Sequence, residues 1–210
     1  MEKVRLVALD LDGTLISCAP RQMTVLQAEA NRAGVHVDLS ELWERKRAGS
    51  STLQALCEAG LPEYKAQSLT TRWRQRVEEP VWLALDSCFS DTQVTLSRAK
   101  SDGIHLVLLT GRTNPTWLPS QLHRLGISRF FDSVEIVSPC NAEKEKAQIL
   151  LQYMPMLYVG DTEVDLCAAA RVEIPFIALD RGQRSRSFLA KRGAMRIDAN
   201  LTEAFEDLQN

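Results

Sequence analysis

Residues 4–14 read VRLVALDLDGT, and this stretch decides the fold. It opens with a nearly continuous apolar run, residues 4–9, which is typical of a strand buried on both faces of a parallel sheet. Asp10 and Asp12 follow the run directly. Side chains two residues apart share one face of a strand, so we expect both carboxylates to enter one small volume at the strand's carboxyl end.

Four more apolar runs end in polar or glycine residues, and helical patterns separate them. The runs are residues 104–109, 134–137, 157–159 and 176–179, and helical patterns occupy residues 91–100, 117–125 and 143–153. Alternating strands and helices predict an α/β fold with a parallel, Rossmann-like sheet and right-handed crossovers. Ligands of such sheets bind beyond the carboxyl ends of the strands, where the polar tips gather.

One long interval breaks this alternation. Between residues 17 and 83 the patterns favour helices at residues 22–32, 40–47, 52–59 and 62–77, separated by glycines. We therefore expect residues 1–16 and 84–210 to form the catalytic core and residues 17–83 to form an inserted helical cap. Because the insert leaves the sheet directly after the first carboxylates, the cap is predicted to lie over the strand tips.

Composition narrows the class of protein. The chain has 210 residues, 45% hydrophobic and 25% charged, with a formal charge of −2. These values exclude a disordered chain and give no overall basic field for nucleic acid or an anionic membrane. No apolar run reaches the ~18 residues of a membrane span, and an acidic residue comes too early for a signal peptide. The five cysteines are scattered, which is typical of a protein in the reducing cytoplasm. We also expect a monomer or a homodimer.

A second group of carboxylates follows the run at residues 157–159. Asp161 and Asp165 stand there, and the topology brings them to the edge that carries Asp10 and Asp12. So many carboxylates repel one another unless a cation offsets their charge. Mg²⁺ fits because it prefers hard oxygen ligands and uses few protein carboxylates.

Other residues at the strand tips suit a phosphate group. Gly13, Gly111 and Gly160 allow the backbone to approach a ligand closely. The Thr110 hydroxyl and the Lys144 ammonium would complement phosphate oxygens.

Taken in order, these motifs resemble those of the haloacid dehalogenase superfamily. They are residues 10–14 (DLDGT), the apolar run ending at Thr110, the helix-start lysine Lys144 and residues 160–165 (GDTEVD). The resemblance spans the whole core. The insert resembles the small helical cap of phosphoglycolate phosphatase-like and β-phosphoglucomutase-like members.

The resemblance implies a role for each matching residue. Asp10 would attack phosphorus and form an aspartyl-phosphate. Asp12 would protonate the leaving oxygen and then activate water. Thr110 and Lys144 would hold the transferring group, with Gly13 and Gly111 close to the phosphate. Asp12 also argues against a dehalogenase, because those relatives lack an acid at that position.

The same resemblance implies the metal ligands. Asp10, Asp161 and the backbone carbonyl of Asp12 would bind Mg²⁺, with Asp165 in support.

Two assignments leave alternatives open. Lys146 also precedes the apolar face of its helix and is the replacement for Lys144 as the motif lysine. Arg47, in the basic stretch of residues 45–47, is a candidate substrate contact, but basic residues commonly decorate helix C-termini without binding anything. A basic segment at residues 181–192 is interpreted as a solvated helix face.

The sequence therefore predicts a Mg²⁺-dependent phosphohydrolase that acts on a small phosphorylated metabolite. A phosphomutase needs the same core and differs only in the second acceptor. A catalytically silent binding protein would require one essential residue to be missing, whereas all are present.

Overall fold

The computed structural model describes residues 5–206 and residue 208, and its core is a parallel sheet. The strands are β1 (Leu6–Leu9), β2 (Ile16–Ser17), β3 (Ser87–Cys88), β4 (His105–Gly111), β5 (Ser133–Val137), β6 (Leu157–Gly160), β7 (Phe176–Leu179) and β8 (Ile197–Asp198). Six of them form one sheet in the order β5-β4-β1-β6-β7-β8. The predicted α/β class is confirmed, although Val4, the first residue of the predicted first strand, lies outside the described residues.

Helices cover both faces of this sheet and form the insert. They are α1 (Ala19–Arg32), α2 (Leu39–Arg47), α3 (Thr52–Glu58), α4 (Glu63–Arg76), α5 (Pro80–Leu83), α6 (Thr92–Ser101), α7 (Leu118–Arg124), α8 (Ala142–Tyr153), α9 (Glu163–Arg171), α10 (Arg186–Lys191) and α11 (Leu201–Glu206), with short 3₁₀ helices at Pro115–Trp117, Ser128–Phe130 and Pro139–Asn141. Among the described residues, no helix has the length and apolar character needed to cross a membrane.

Strand β1 is central because it pairs with β4 on one side and β6 on the other. Its side chains alternate between two apolar layers, as the two-residue period of a strand requires. Val7 and Leu9 pack in one layer with residues of α6, α7 and α11, whereas Ala8 packs in the other with residues of α8 and α9. Burial on both faces explains the continuous apolar run of the sequence.

The insert leaves and re-enters the core at one place. Strands β2 and β3 form an antiparallel pair there, with Ile16 opposite Cys88 and Ser17 opposite Ser87. Between them, α1 to α4 pack around a separate apolar cluster that includes Leu26 and Leu42. Their positions match the four predicted helices, and the short α5 is an addition.

A buried ion-pair cluster ties the insert's helices α1 and α4 together. The carboxylate of Glu29 is fully buried and pairs with Arg32, Arg72 and Arg76. A buried carboxylate needs such partners, since desolvation otherwise raises its free energy by several kcal/mol.

Candidate active site

The carboxyl ends of β1 and β6 bring three carboxylates together. Asp10 follows β1, and its backbone N–H donates to the carbonyl of Val159 in β6 (2.9 Å). Asp161 follows β6, and Asp165 lies in the first turn of α9. All three side chains are buried, and each offers an oxygen within 4.8 Å of the others.

Helix α9 begins with a capping box that fixes Asp165. The Thr162 hydroxyl donates to Asp165 Oδ2 (2.6 Å), and the backbone N–H of Asp165 donates back to that hydroxyl (3.4 Å). The cap satisfies free N–H groups at the helix start and holds the carboxylate toward the strand end.

Lys146, rather than Lys144, is the lysine of this site. Its ammonium donates to Asp10 Oδ1 (2.7 Å), Asp165 Oδ1 (2.5 Å) and the Tyr158 hydroxyl (3.1 Å). Lys144 is exposed to solvent, and its assignment as the phosphate-binding lysine is corrected.

The phase of α8 explains the correction. Lys146 stands one turn before the buried Leu150 and beside the buried Ala147, so it shares the face that packs on the sheet. Two residues turn an α-helix by roughly 200°, which sends Lys144 to the opposite side.

The charges of the cluster do not balance. Asp10, Asp161 and Asp165 would together carry −3 when ionised, and the ammonium of Lys146 supplies +1, which leaves −2. Burial raises the pKa of Asp10 to about 7 despite the opposing attraction of Lys146. Burial and the neighbouring Asp10 carboxylate raise the pKa of Asp161 well above its usual range. Burial also acts to raise the pKa of Asp165, but contact with Lys146 outweighs it and lowers that pKa.

This arrangement fits a divalent cation. Asp161 Oδ1 is buried and has no hydrogen-bond partner among the described residues, while its Oδ2 accepts from the Gln183 N–H (2.6 Å). An oxygen-only donor set with two uncompensated charges is the environment that Mg²⁺ prefers. The side chain of Asp12 lies outside this group, so of the proposed ligands it is left with its backbone carbonyl.

Gly13 serves this site by its small size. Its φ is +88°, and a Cβ there would lie 2.0 Å from Asp161 Oδ2; a Cβ on Gly182 would lie 2.1 Å from the same atom. The Gly13 N–H donates to the Ile16 carbonyl (2.8 Å), which leaves it unable to donate to a phosphate. Gly13 therefore makes room for Asp161, and the close approach of its backbone to the phosphate stays a prediction.

Two arginines hold the side chain of Asp12. Arg112 Nη1 donates to Asp12 Oδ2 (2.6 Å), and Arg21 Nη2 donates to Asp12 Oδ1 (2.9 Å). Burial acts to raise the pKa of Asp12, but the attraction of Arg112 and then Arg21 outweighs it and lowers the pKa to about 2. This contact favours the ionised carboxylate, the form that accepts a proton.

Neither Arg112 nor Arg21 was predicted from the sequence as a residue of this site. Arg112 ends the polar segment that follows the apolar run, two residues after Thr110, and this position could have indicated a role in the site. Arg21 lies in the first cap helix, where nothing in the local pattern distinguishes it from a surface arginine.

A cavity of about 240 Å³ opens onto Asp10, Asp12 and Lys146. Thr110 and Gly111, both predicted to bind phosphate, also form its wall, as do Gln183 and Arg184 among others. Every residue of the wall comes from outside residues 17–83. The cap therefore borders this cavity only through the core residues that it contacts.

Arg184 is one of these residues. It pairs with Glu163 (2.6 Å) and donates from Nη1 to the backbone carbonyl of Lys46 in the cap (2.8 Å). The solvated interpretation of residues 181–192 is wrong for Arg184, whose side chain is 14% exposed, and holds for Arg186, at 54%.

The expected substrate contact of Arg47 is not found in this geometry. Its guanidinium donates to the carbonyls of Gly182 (2.6 Å) and Asp180 (2.8 Å), and it is absent from the cavity wall. The assignment is corrected: Arg47 ties the insert to the loop after β7 through these two carbonyl oxygens.

Comparisons with known proteins agree with this geometry. Residues 4–173 match the family described as haloacid dehalogenase-like hydrolase. A phosphoglycolate phosphatase from Yersinia pestis is 29% identical over 193 residues, covering 85% of this chain and 82% of that protein. The tyrosine-protein kinase PtkA from Mycobacterium tuberculosis is 25% identical over 198 residues, covering 90% of this chain and 67% of that protein.

The structures agree at the level of the fold. A haloacid dehalogenase-like family hydrolase from Streptococcus pneumoniae superimposes with a TM-score of 0.80 over 100% of both chains, at 18% identity. The chain therefore belongs to the haloacid dehalogenase-like hydrolases and is a phosphatase of their phosphoglycolate phosphatase-like branch.

Proposed function

We propose that this protein is a Mg²⁺-dependent phosphohydrolase that removes phosphate from a small phosphorylated metabolite through an aspartyl-phosphate on Asp10. The observation that carries the proposal is the contact of Lys146 with both Asp10 and Asp165, beside the buried Asp161 Oδ1, which has no hydrogen-bond partner in the part of the chain that the structure describes. This arrangement supports the proposal, because the carboxylate that would attack, a fixed positive charge and the oxygens that would bind a cation lie at one strand edge.

In the first step, a carboxylate oxygen of Asp10 attacks phosphorus, and the bond from phosphorus to the leaving oxygen breaks. Asp12, which is ionised in the free protein, takes up a proton as the substrate binds and gives it to that oxygen. In the second step, water attacks the phosphorus of the aspartyl-phosphate while Asp12 takes a proton from that water. The bond between phosphorus and the Asp10 oxygen breaks, which regenerates the Asp10 carboxylate and releases inorganic phosphate. Lys146 stabilises the charge on the phosphoryl oxygens throughout, and Thr110 and Gly111 position them.

Asp10, Asp161 and Asp165, with the carbonyl of Asp12, would hold the Mg²⁺. When bound, the cation neutralises the carboxylates and the developing charge on the phosphoryl group. The chain's own contribution is to keep Asp10 oriented: Lys146 occupies its Oδ1, which leaves Oδ2 for attack.

The cavity favours a small substrate. A volume of about 240 Å³ lies below the ~300 to 1,000 Å³ of sites for drug-sized ligands. The named activity of several relatives makes phosphoglycolate the first compound to test. We further propose residues 17–83 as the cap and a cytoplasmic location, which the five unpaired cysteines support.

Phosphate release from a panel of phosphorylated metabolites tests the proposal. The panel is measured with Mg²⁺ and with a chelator, for the wild type and for Asp10→Asn. We expect release that needs the metal and falls at least about 10³-fold in the variant. Undiminished release by Asp10→Asn would show that the nucleophile is another residue. Transfer to a sugar hydroxyl instead of water would support the phosphomutase.

A further inference from the structure

Asp12 is one member of a closed ring of buried polar contacts. Arg21 bridges two carboxylates, donating to Asp12 Oδ1 (2.9 Å) and Asp86 Oδ1 (3.0 Å). Asp86 Oδ2 accepts from Gln121 Nε2 (2.7 Å), and Gln121 Oε1 accepts from Arg112 (3.5 Å). Arg112 then closes the ring by donating to Asp12 Oδ2 (2.6 Å).

The far side of the ring has no direct access to a substrate. Asp86 and Gln121 are 2% and 3% exposed, and neither forms part of the cavity wall. Asp12 does line the cavity, and its side chain keeps 16% exposure. Any effect of Asp86 or Gln121 on the reaction must therefore pass through the two arginines to Asp12.

The ring also joins parts of the chain that are distant in sequence. Arg21 lies on α1, Asp86 between α5 and β3, Gln121 on α7, and Arg112 directly after β4. Arg21 donates in addition to the carbonyl of Val77 (3.1 Å), near the point where the chain returns to the core. The segments by which the chain enters and leaves the cap both contribute to this ring: Arg21 follows the first segment, and Asp86 lies in the second.

A carboxylate at a strand end has two rotatable bonds, and proton transfer requires it within hydrogen-bond reach of one particular oxygen. Arg112 donates to both oxygens of Asp12, and Arg21 donates to Oδ1 as well, which removes that freedom. The side chains of Arg21 and Arg112 are long and flexible, so they fix Asp12 only if other residues hold their guanidinium groups in place. Asp86 accepts a hydrogen bond from Arg21 on the side away from the cavity, and Gln121 links Asp86 to Arg112.

We propose that Asp86 and Gln121 are positioning residues for proton transfer by Asp12, acting through Arg21 and Arg112. This inference rests on the proposed function, in which Asp12 protonates the leaving oxygen. It extends the catalytic apparatus from the cavity to the junction between cap and core.

The dependence of rate on leaving group distinguishes positioning of Asp12 from a general loss of structure. p-Nitrophenolate leaves with little need of a proton, whereas an alkoxide needs one. The kcat/KM value reports the steps up to formation of the aspartyl-phosphate, so it isolates this protonation from the later attack of water. The two substrates are p-nitrophenyl phosphate and the best alkyl phosphate of the panel, starting with phosphoglycolate.

We expect Asp86→Asn and Gln121→Met to lower kcat/KM for the alkyl phosphate at least about tenfold more than for p-nitrophenyl phosphate. Glu29→Gln is the matched control, because it removes a buried carboxylate from an arginine cluster within the cap. It should leave the ratio of the two kcat/KM values within about twofold of wild type, whatever its effect on thermal stability.

Equal losses on both substrates in the folded variants would overturn the inference, because a structural defect slows both reactions alike. The isosteric Gln121→Met carries the test if Asp86→Asn does not fold. A wild type that releases phosphate from neither substrate would refute the proposed function instead, so the two failures are separable.

Discussion

Replacing Lys146 with methionine removes the ammonium that contacts Asp10 and Asp165 and keeps the length of the side chain. The side chain of Lys146 is 5% exposed, and the side chains of its partners Asp10 and Asp165 are 8% and 1% exposed. Breaking a buried pair by removing one partner costs about 3 to 5 kcal/mol, because the remaining charges stay desolvated. We take about 3 kcal/mol, since protonation of Asp10 relieves part of the repulsion.

For a chain of 210 residues, each kcal/mol moves the melting temperature by about 2 to 4 °C. Lys146→Met should therefore melt about 6 to 12 °C below wild type in chelator, and Mg²⁺ should recover part of the difference. Turnover of the best substrate should fall about 10²- to 10³-fold, as expected for the loss of one preorganised positive charge.

Lys144→Met is the matched control, because it removes the same charge two residues away on the exposed face of α8. Its melting temperature should stay within about 2 °C of wild type, as for most exposed substitutions. The measurements are thermal denaturation by circular dichroism and phosphate release on the same samples. Loss of turnover in Lys144→Met with retention in Lys146→Met would refute the assignment of Lys146.

Three further predictions concern the neighbouring groups. Mg²⁺ should raise the melting temperature of the wild type but not of Asp161→Asn, measured by titrating the metal in the absence of substrate. Gly13→Ala should lose at least about 2 kcal/mol in urea denaturation, because its Cβ meets Asp161; Gly34→Ala, at φ +63° with nothing within 4 Å, should lose only about 1 kcal/mol. Lys46 is the third case: burial, aided by Arg184, lowers its pKa from 10.5 to about 8, so the folded protein holds this proton less tightly than the unfolded chain. A pKa of about 8 in place of 10.5 corresponds to a cost of about 3 kcal/mol, and the lost hydrogen bond to Thr52 offsets about 1 kcal/mol of the gain from removing the ammonium. Lys46→Met should therefore raise the free energy of unfolding by about 2 kcal/mol below pH 8. The gain should fade between pH 8 and 10.5, and its absence would contradict the assigned cost of burying the ammonium.

Most of the sheet could be predicted because its strands are buried on both faces. Runs such as residues 104–109 and 176–179 coincide with β4 and β7 to within two residues. Strands β2, β3 and β8 have two residues each, too few to show a period, and they were not predicted. Their pairing depends on the positions of longer elements.

The candidate site was predictable where chemistry and strand position coincide, as at Asp10 and Asp161. It was not predictable where the phase of a helix decides, since Lys144 and Lys146 are the same type of residue and differ in the face of α8 that they occupy. Nor could the contact of Arg21 with Asp86 be foreseen, because 65 positions separate these residues. Such a contact depends on how the cap returns to the core.

The order in which the charged residues of the active site are synthesised affects how the sheet can assemble. Asp10 is made before the whole insert, whereas Lys146, 136 positions later, supplies the positive charge that offsets it. Lys146 is in turn made before Asp161 and Asp165, because α8 precedes β6 in the chain. The ammonium is therefore already present when β6 docks against β1, so these carboxylates approach Asp10 with a positive charge beside them. The order of the elements thus lets the middle of the sheet assemble with part of its negative charge already offset.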